Sequence, residues 1–331
     1  MNLQNRIDLL IHLSKYLDEN NEEWLTVKKK ASIQNGWFTP EFIDLAVQNI
    51  SASFLQPEKL TQWAAHYHLD DNVGGKNIGI VMAGNIPLVG FHDFLTVFIS
   101  GHRQTIKLSS KDDVLLKHLV QKMSEWDLLV SNYVAFADML KGCDAYIATG
   151  SNNSARYFEQ YFSKYPNIIR RNRTSVAILT GDETTEELDK LSDDIHTFFG
   201  LGCRNVTKVL VPAGYDFVPL LKVFDHYKYF IDHNKYKNNY DYQLSIALMN
   251  NVRYMTNGTT LMIESPENFS AISRLNYEFY SHPDAAFESL STNEDIQCIV
   301  GYKGTPFGEA QRPGLMDHAD GVDTLQFLLT V

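Results

Sequence analysis

Cysteine is scarce in this chain. There are three among 331 residues, an odd number that cannot all pair with one another, and none has zinc-ligand spacing. That argues against a disulfide framework and points to a reducing compartment, the cytoplasm. Long apolar runs are missing too. The longest uncharged stretch near the middle, residues 77–92, holds two asparagines, a proline and several glycines, and is too short to span a bilayer. The opening segment Met1-Asn-Leu-Gln-Asn-Arg6 leads into a charged amphipathic pattern rather than a signal peptide. Positive charge is in deficit: 29 Lys and Arg against 40 Asp and Glu leave a net charge of −11, which argues against a general nucleic-acid binder and against adhesion to anionic membranes. No repeat or low-complexity linker interrupts the chain. The His66/His68 and His226/His233 pairs lack ligand spacing and read as surface or packing residues, so no metal site is expected.

What is present is ordinary for a soluble globular protein: 44% hydrophobic and 21% charged residues, at a length that suggests two domains. Residues 1–70 read as helical. Ile7, Leu10, Ile11, Leu13 and Leu17 recur near helical spacing, and Thr39-Pro40-Glu41 has the cap, the first-turn proline and the acidic residue of a helix start. From Lys76 short apolar runs alternate with helical stretches: 77–82, 104–108, 144–148 and 175–179. That alternation predicts a parallel α/β sheet, in which ligands bind beyond the carboxyl ends of the strands. The loops at those ends are Gly84-Asn85, Ser109-Ser110, Thr149-Gly150-Ser151 and Gly181-Asp182. A helix is expected from Glu186 to Phe199, a strand from Val206 to Val211, a helix over 238–251, and strands at 258–263 and 297–300. The fold class is therefore α/β, a Rossmann-like cofactor domain plus a smaller catalytic α/β domain, with a helical N-terminal segment. The expected boundaries are 1–180, 181–310 and a polar tail over 311–331.

Cys203 lies in a glycine-flanked turn, Gly200-Leu-Gly-Cys203, between a helix and a strand. A cysteine on an exposed turn can act as a nucleophile, whereas one inside an apolar strand fills space. Cys143 and Cys298 read as the second kind. Two basic runs stand out. Lys28-Lys-Lys30 reads as a solvated helix end. Arg170-Arg-Asn-Arg173 reads either as a solvated run or as a contact for a phosphate-bearing ligand.

Taken together, these loops resemble the aldehyde dehydrogenase superfamily and, within it, the acyl-CoA reductase branch related to the fatty-acid reductase of bacterial bioluminescence. The resemblance covers roughly residue 75 onward, and Asn35-Gly-Trp-Phe-Thr39 also has the look of that branch. Seven short matches occur in order. Gly84-Asn85-Ile-Pro87 resembles the segment whose asparagine helps form the oxyanion hole. Lys107, 22 residues later, falls where the superfamily places a lysine on the adenosine ribose. Thr149-Gly150-Ser151 is similar to the turn under the nicotinamide and pyrophosphate. Cys203, with Lys208 following, resembles the nucleophile segment. Asp295 occupies the place of an acidic residue that holds the nicotinamide ribose. Thr305-Pro-Phe-Gly308 and Ala319-Asp-Gly-Val-Asp-Thr324 resemble the late motifs. Taken singly, Gly150-Ser151 reads equally as a helix-start turn, Asn85 as a turn residue, Asp295 as a solvated charge and Lys208 as decoration of a strand face.

The resemblance implies an aldehyde dehydrogenase-like fold and NAD(P)H-dependent reduction of an acyl-CoA or other acyl thioester to an aldehyde. Cys203 would carry the acyl group and Asn85 would steady the oxyanion. Lys107, Ser109, Ser110, Thr149, Gly150, Ser151 and Asp295 would hold the cofactor. Two departures matter. No glutamate corresponds to the water-activating base of ordinary aldehyde dehydrogenases; the place is taken by Arg173-Thr-Ser-Val-Ala177. The interval from Gly150 to Cys203 is 53 residues, shorter than the superfamily pattern, and no bridging hairpin is evident. The cofactor expected is NADPH, with NADH possible. Ser110 stands where NAD-selective relatives carry a glutamate, and its neighbours Lys107 and Lys111 suit a 2′-phosphate unless Asp112 and Asp113 turn inward. A homo-oligomer or an acyl-transferring partner protein is expected, with no nucleic acid and no membrane insertion. The alternatives are an oxidative aldehyde dehydrogenase and a cofactor-binding subunit with little activity alone.

Overall fold

Four helices precede the first strand, and the first three are each opened by a side chain that accepts from a free amide. In the computed structural model, which describes residues 1–72 and 74–331, these are α1 (Leu3–Glu19), α2 (Glu22–Gln34), α3 (Pro40–Phe54) and α4 (Pro57–His66). Asn2 and Asn21 cap α1 and α2. Thr39 accepts the Phe42 N–H, with Pro40 in the first turn of α3. Their apolar stripes bury Leu10, Leu13, Trp24 and Ile43 in one core with the first sheet. Lys28 is not solvated as expected. It is buried and binds Asp44 at 2.5 Å and Asn20 at 2.6 Å, because a lysine stem fits the core only if its ammonium finds partners.

The chain divides into two compact units, Met1–Asn172 with Pro313–Val331, and Arg173–Arg312. In the first, β1 (Asn77–Val81), β2 (Arg103–Lys107), β3 (Val134–Phe136), β4 (Ala145–Thr149) and β5 (Asn167–Arg170) form a parallel sheet in the order β3-β2-β1-β4-β5. The chain runs outward from β1 to β3, then returns to the other side for β4 and β5. Strand order thus reverses beside β1, which opens a crevice at the carboxyl ends of β1 and β4. The crossovers are α5 (Phe91–Ile99), α6 (Leu115–Trp126) and α7 (Asn152–Phe162). Almost every side chain of α5 is buried, as expected of a helix that is apolar all round.

The segment expected to be a polar tail folds back into this unit. Leu315, Leu325 and Leu328 enter the core, Tyr67 donates to Asp323 at 2.7 Å, and His102 meets the Leu328 carbonyl at 3.0 Å. The basic run changes meaning as well. Arg170 ends β5 as a buried ion, with Nη1 on both carboxylate oxygens of Asp93 at 2.7 and 2.6 Å and Nη2 on the Thr324 hydroxyl at 2.7 Å. Arg171 pairs with Glu159, and Arg173 donates to the Ile296 carbonyl at 3.3 Å. Charge density alone could not separate a ligand contact from an internal tie.

In the second unit, β6 (Thr174–Ile178), β7 (Val206–Pro212), β8 (Tyr254–Thr256), β9 (Leu261–Glu264), β10 (Arg274–Tyr280) and β11 (Ile296–Gly301) are ordered β11-β6-β7-β10-β9-β8 and are parallel except for the β8–β9 pair. The helices are α8 (Thr185–His196), α9 (Val218–Val223), α10 (Asn234–Met249) and α11 (Pro283–Ser291). β6 was expected inside a 1–180 domain. It pairs instead with β7 and β11, so the Gly181-Asp182 loop leaves the other three loops and belongs to this sheet. Alternation predicts strands but not which sheet they join. The helix expected to reach Phe199 stops at His196: Phe198, Phe199 and Gly200 are all left-handed, with φ of 55°, 57° and 72°. Two consecutive phenylalanines there are strained, and ring contacts to Phe230, His233 and Tyr236 hold Phe199 in place. Among the described residues no helix is long and apolar enough to cross a membrane.

Candidate active site

Three of the expected cofactor loops share one edge of the first sheet. Val81 is in register with Lys107 on one side and Ala148 on the other, so the loops after β1, β2 and β4 emerge side by side. Gly84 lets the first two meet. A Cβ there would lie 2.7 Å from the Ser109 side chain and 3.2 Å from the Asp112 nitrogen. Asn85, Lys107 and Ser110 are exposed, while Ser109 is half-buried and accepts the Lys111 N–H at 3.3 Å. Gly150 permits a second close approach, since a Cβ there would sit 2.9 Å from Ser154 and Phe158 on α7. Thr149 ends β4 half-buried. Ser151 caps α7, its hydroxyl accepting the Ser154 N–H at 3.3 Å.

The donor set on this edge suits a dinucleotide pyrophosphate: a lysine, hydroxyls and the first turn of a helix. The nearby acids face elsewhere. Asp112 is buried, one oxygen accepting the Leu88 N–H at 2.7 Å and the other lacking a partner. Burial pushes its carboxyl up to about 7. Asp113 accepts from Gln34 at 2.7 Å and Lys117 at 3.0 Å. Asp112 thus turns inward, onto the Asn85 loop and not toward Ser110.

In the second unit, Cys203 and Arg204 are the central residues of a turn closed twice by Asn205. The Asn205 N–H donates to the Gly202 carbonyl at 3.1 Å, and its side-chain oxygen accepts the Gly202 N–H at 2.8 Å. The fully buried Asn205 amide also donates to the carbonyls of Asp194, Ile195 and Thr197, at 3.1, 3.3 and 2.8 Å. The left-handed segment before the turn frees those carbonyls from the helix end. Cys203 is exposed, Cys143 buried and Cys298 half-buried; all three are thiols. Beneath the turn, the Ser175 hydroxyl donates to the Cys203 carbonyl at 3.1 Å.

Register places further residues on this edge. Ser175 is opposite Val206, and Thr174 is opposite Ile296, so the amino ends of β7, β6 and β11 carry the Cys203 turn, Arg173–Ser175 and Asp295. Asp295 is exposed, and its carbonyl accepts the Thr174 N–H at 2.9 Å. The candidate residues of the first sheet thus follow the carboxyl ends of their strands, and those of the second sit at amino ends. Gly181-Asp182 and Thr305–Gly308 lie at the opposite edge, where Tyr302 N–H reaches the Ile178 carbonyl at 3.2 Å. Asp194 of α8 accepts from Gly308 at 2.7 Å and Ala310 at 3.0 Å, with its carboxyl pushed up to about 7 by burial. Lys208 neither decorates an exposed face nor stays unpaired. It is buried, bound to Glu278 at 2.5 Å and to the Pro266 carbonyl at 2.8 Å.

Sequence reasoning missed the parts played by Ser175, Asn205 and Asp194, and weighed Asp112 only as an acid that could face the cofactor. Only Asn205 carried a local signal, a polar residue closing a glycine-containing turn.

No family model matches the chain, and no curated protein sequence matches it. Solved structures do. A succinic semialdehyde dehydrogenase from Streptococcus pyogenes in complex with NADP+ is 15% identical with a TM-score of 0.65, over 90% of this chain and 76% of that one. Betaine aldehyde dehydrogenase from Staphylococcus aureus is 11% identical with a TM-score of 0.65, over 94% and 73%. Indole-3-acetaldehyde dehydrogenase from P. syringae, in complex with NAD+, is 12% identical with a TM-score of 0.64, over 91% and 72%. At these identities the likeness is one of fold: the chain has the aldehyde dehydrogenase fold.

Proposed function

We propose that this chain is a nicotinamide-dependent oxidoreductase that reduces an acyl thioester, such as an acyl-CoA, to an aldehyde through an acyl-Cys203 intermediate. The observation that carries the reading is the edge around Cys203: an exposed thiol on a braced turn, beside a strand that opens Arg173-Thr174-Ser175 with no carboxylate. The Cys203 thiolate attacks the thioester carbonyl, forming a C–S bond and a tetrahedral oxyanion. By the family resemblance Asn85 is the residue that would donate its amide to that oxygen, a role whose loss typically costs on the order of 10²–10³ in rate. Collapse expels the coenzyme A thiolate and leaves acyl-Cys203. Lys107, Ser109, Ser110, Thr149, Gly150, Ser151 and Asp295 are the residues that would hold a reduced nicotinamide cofactor, which would supply hydride to the acyl carbon. Aldehyde then departs with regeneration of the Cys203 thiolate. With Arg173-Thr174-Ser175 in the place of the water-activating glutamate, the acyl group exchanges with a thiol instead; general-base help is worth about 10²–10⁴. A preference for NADPH, and a homo-oligomer or an acyl-transferring partner protein, belong to the same reading.

The test supplies aldehyde and oxidised cofactor with and without coenzyme A. The reading expects acyl-CoA only when coenzyme A is present, and little free acid otherwise. Rapid formation of free acid without coenzyme A would mark an oxidative aldehyde dehydrogenase. A cofactor-induced thermal shift with no turnover in either direction would mark a binding subunit.

A further inference from the structure

Cys298 reads from sequence as a strand filler, yet its thiol is not idle. Ser175 is fully buried on β6, between β7 and β11, and its Oγ has two partners: the Cys203 carbonyl at 3.1 Å and the Cys298 Sγ at 3.0 Å. A serine hydroxyl has one proton, and a carbonyl can only accept. The Ser175 proton is therefore committed to Cys203. The bond to Cys298 then runs the other way, with the S–H donating to the Ser175 oxygen. Cys298 lies where the β11–β6 register shifts, between Ile296 and Ile299, so an irregularity in the ladder accompanies this contact.

We propose that Ser175 and Cys298 are positioning residues for the nucleophile. A two-bond chain, Cys298 S–H to Ser175 O–H to the Cys203 carbonyl, fixes the plane of the Cys203–Arg204 peptide. Asn205 closes the turn from one side and this chain holds it from beneath. The Cys203 side chain is left exposed on a backbone that cannot rotate. The proposal rests on the reading of Cys203 as the nucleophile. Small misplacements of a reacting group cost large factors, about 10² for roughly 1 Å, so the chain acts on kcat more than on KM.

The experiment uses the full chain with four variants: Ser175→Ala, Cys298→Ser, Cys298→Val and the double Ser175→Ala/Cys298→Val. Valine fills the space of the thiol without a donor; serine keeps a donor. Two readouts are taken: the iodoacetamide alkylation rate of Cys203, followed by peptide mass spectrometry, and kcat and KM for acyl-CoA reduction. Cys298→Val and Ser175→Ala are expected to change the alkylation rate and to lower kcat by about tenfold or more with KM little changed. Cys298→Ser should restore most of both, and the double variant should be no worse than Ser175→Ala alone. Equal behaviour of Cys298→Ser and Cys298→Val, or additive losses in the double variant, overturns the proposal. Failure of the nucleophile reading has a different signature: Cys203→Ala keeps turnover, while the alkylation rates still report on the chain.

Discussion

The side-chain oxygen of Asn205 accepts the Gly202 N–H at 2.8 Å, so the turn that presents Cys203 is closed by a residue with no exposed surface. The same side chain also satisfies three carbonyls at the end of α8. Asn205→Ala leaves all four groups without their partner and is expected to cost on the order of 3 kcal/mol. Asn205→Asp is expected to be no better, since a carboxylate facing carbonyls has no proton to donate. Urea unfolding of both variants checks this; an aspartate variant as stable as wild type would contradict it.

Arg170 and Asp93 form a buried pair that also reaches Thr324, the first residue of a C-terminal helix, Thr324–Leu329. Removing one partner strands a charge. Asp93→Ala is expected to destabilise the protein by about 3–5 kcal/mol. It should also loosen the C-terminal helix, seen as faster hydrogen exchange over 324–329. A loss below about 1 kcal/mol would show that the pair contributes little.

Stability should depend on pH through buried acids. The carboxyl of Asp112 is raised to about 7 in the folded chain, against 3.8 ordinarily, because burial disfavours its charged form. Between these values the folded chain holds a proton that the unfolded chain has released. The contribution is therefore complete below the lower value and is lost as pH rises to the upper one. Asp194 acts in the same direction. His196, lowered to about 4 by burial, acts oppositely, losing stability as pH falls from 6.5. Asp112→Asn isolates one contribution. The variant should gain on wild type by about 1.4 kcal/mol per pH unit between roughly pH 4 and 7, and by nothing further above. Denaturant midpoints across that range decide it; a constant difference would rule out titration of Asp112 there.

Cys203→Ala is expected to fold normally and to lose essentially all turnover, whereas Cys143→Ala, at a buried thiol, should change activity only modestly. A labelled long-chain acyl-CoA should leave acyl label on wild type and on Cys143→Ala, and none on Cys203→Ala. Equal labelling of all three would remove Cys203 from the mechanism.

Ser110 is exposed beside Lys107 and Lys111, and the two following acids are engaged elsewhere. Wild type is expected to use NADPH better than NADH. Ser110→Glu should weaken NADPH use more than NADH use, because a carboxylate repels a 2′-phosphate. The values of kcat/KM for both cofactors, in both proteins, settle the point. A wild-type preference for NADH, or equal losses with both cofactors, would exclude it.

Local chemistry was enough to read most elements of this protein. Apolar periodicity marked α1 and a cap marked the start of α3 within a stretch read as helical over 1–70, short apolar runs placed β1, β2, β4, β6 and β7, and glycine-bearing turns placed the loops at Asn85, Ser151 and Cys203. These depend on residues a few positions apart, whose spacing the sequence displays. Arg274–Tyr280 escaped because its mixed charged and aromatic residues do not look like a central strand, although it pairs with β7 and β9. The tertiary structure alone decided which sheet β6 joins, that the stretch after Gln311 returns to the first unit, and that Arg170 and Lys208 are internal ties. It alone also brought Ser175 and Cys298 to the Cys203 turn. Each of these depends on partners distant in sequence. Burial then sets what a charge or a thiol does, and one-dimensional spacing carries no record of burial.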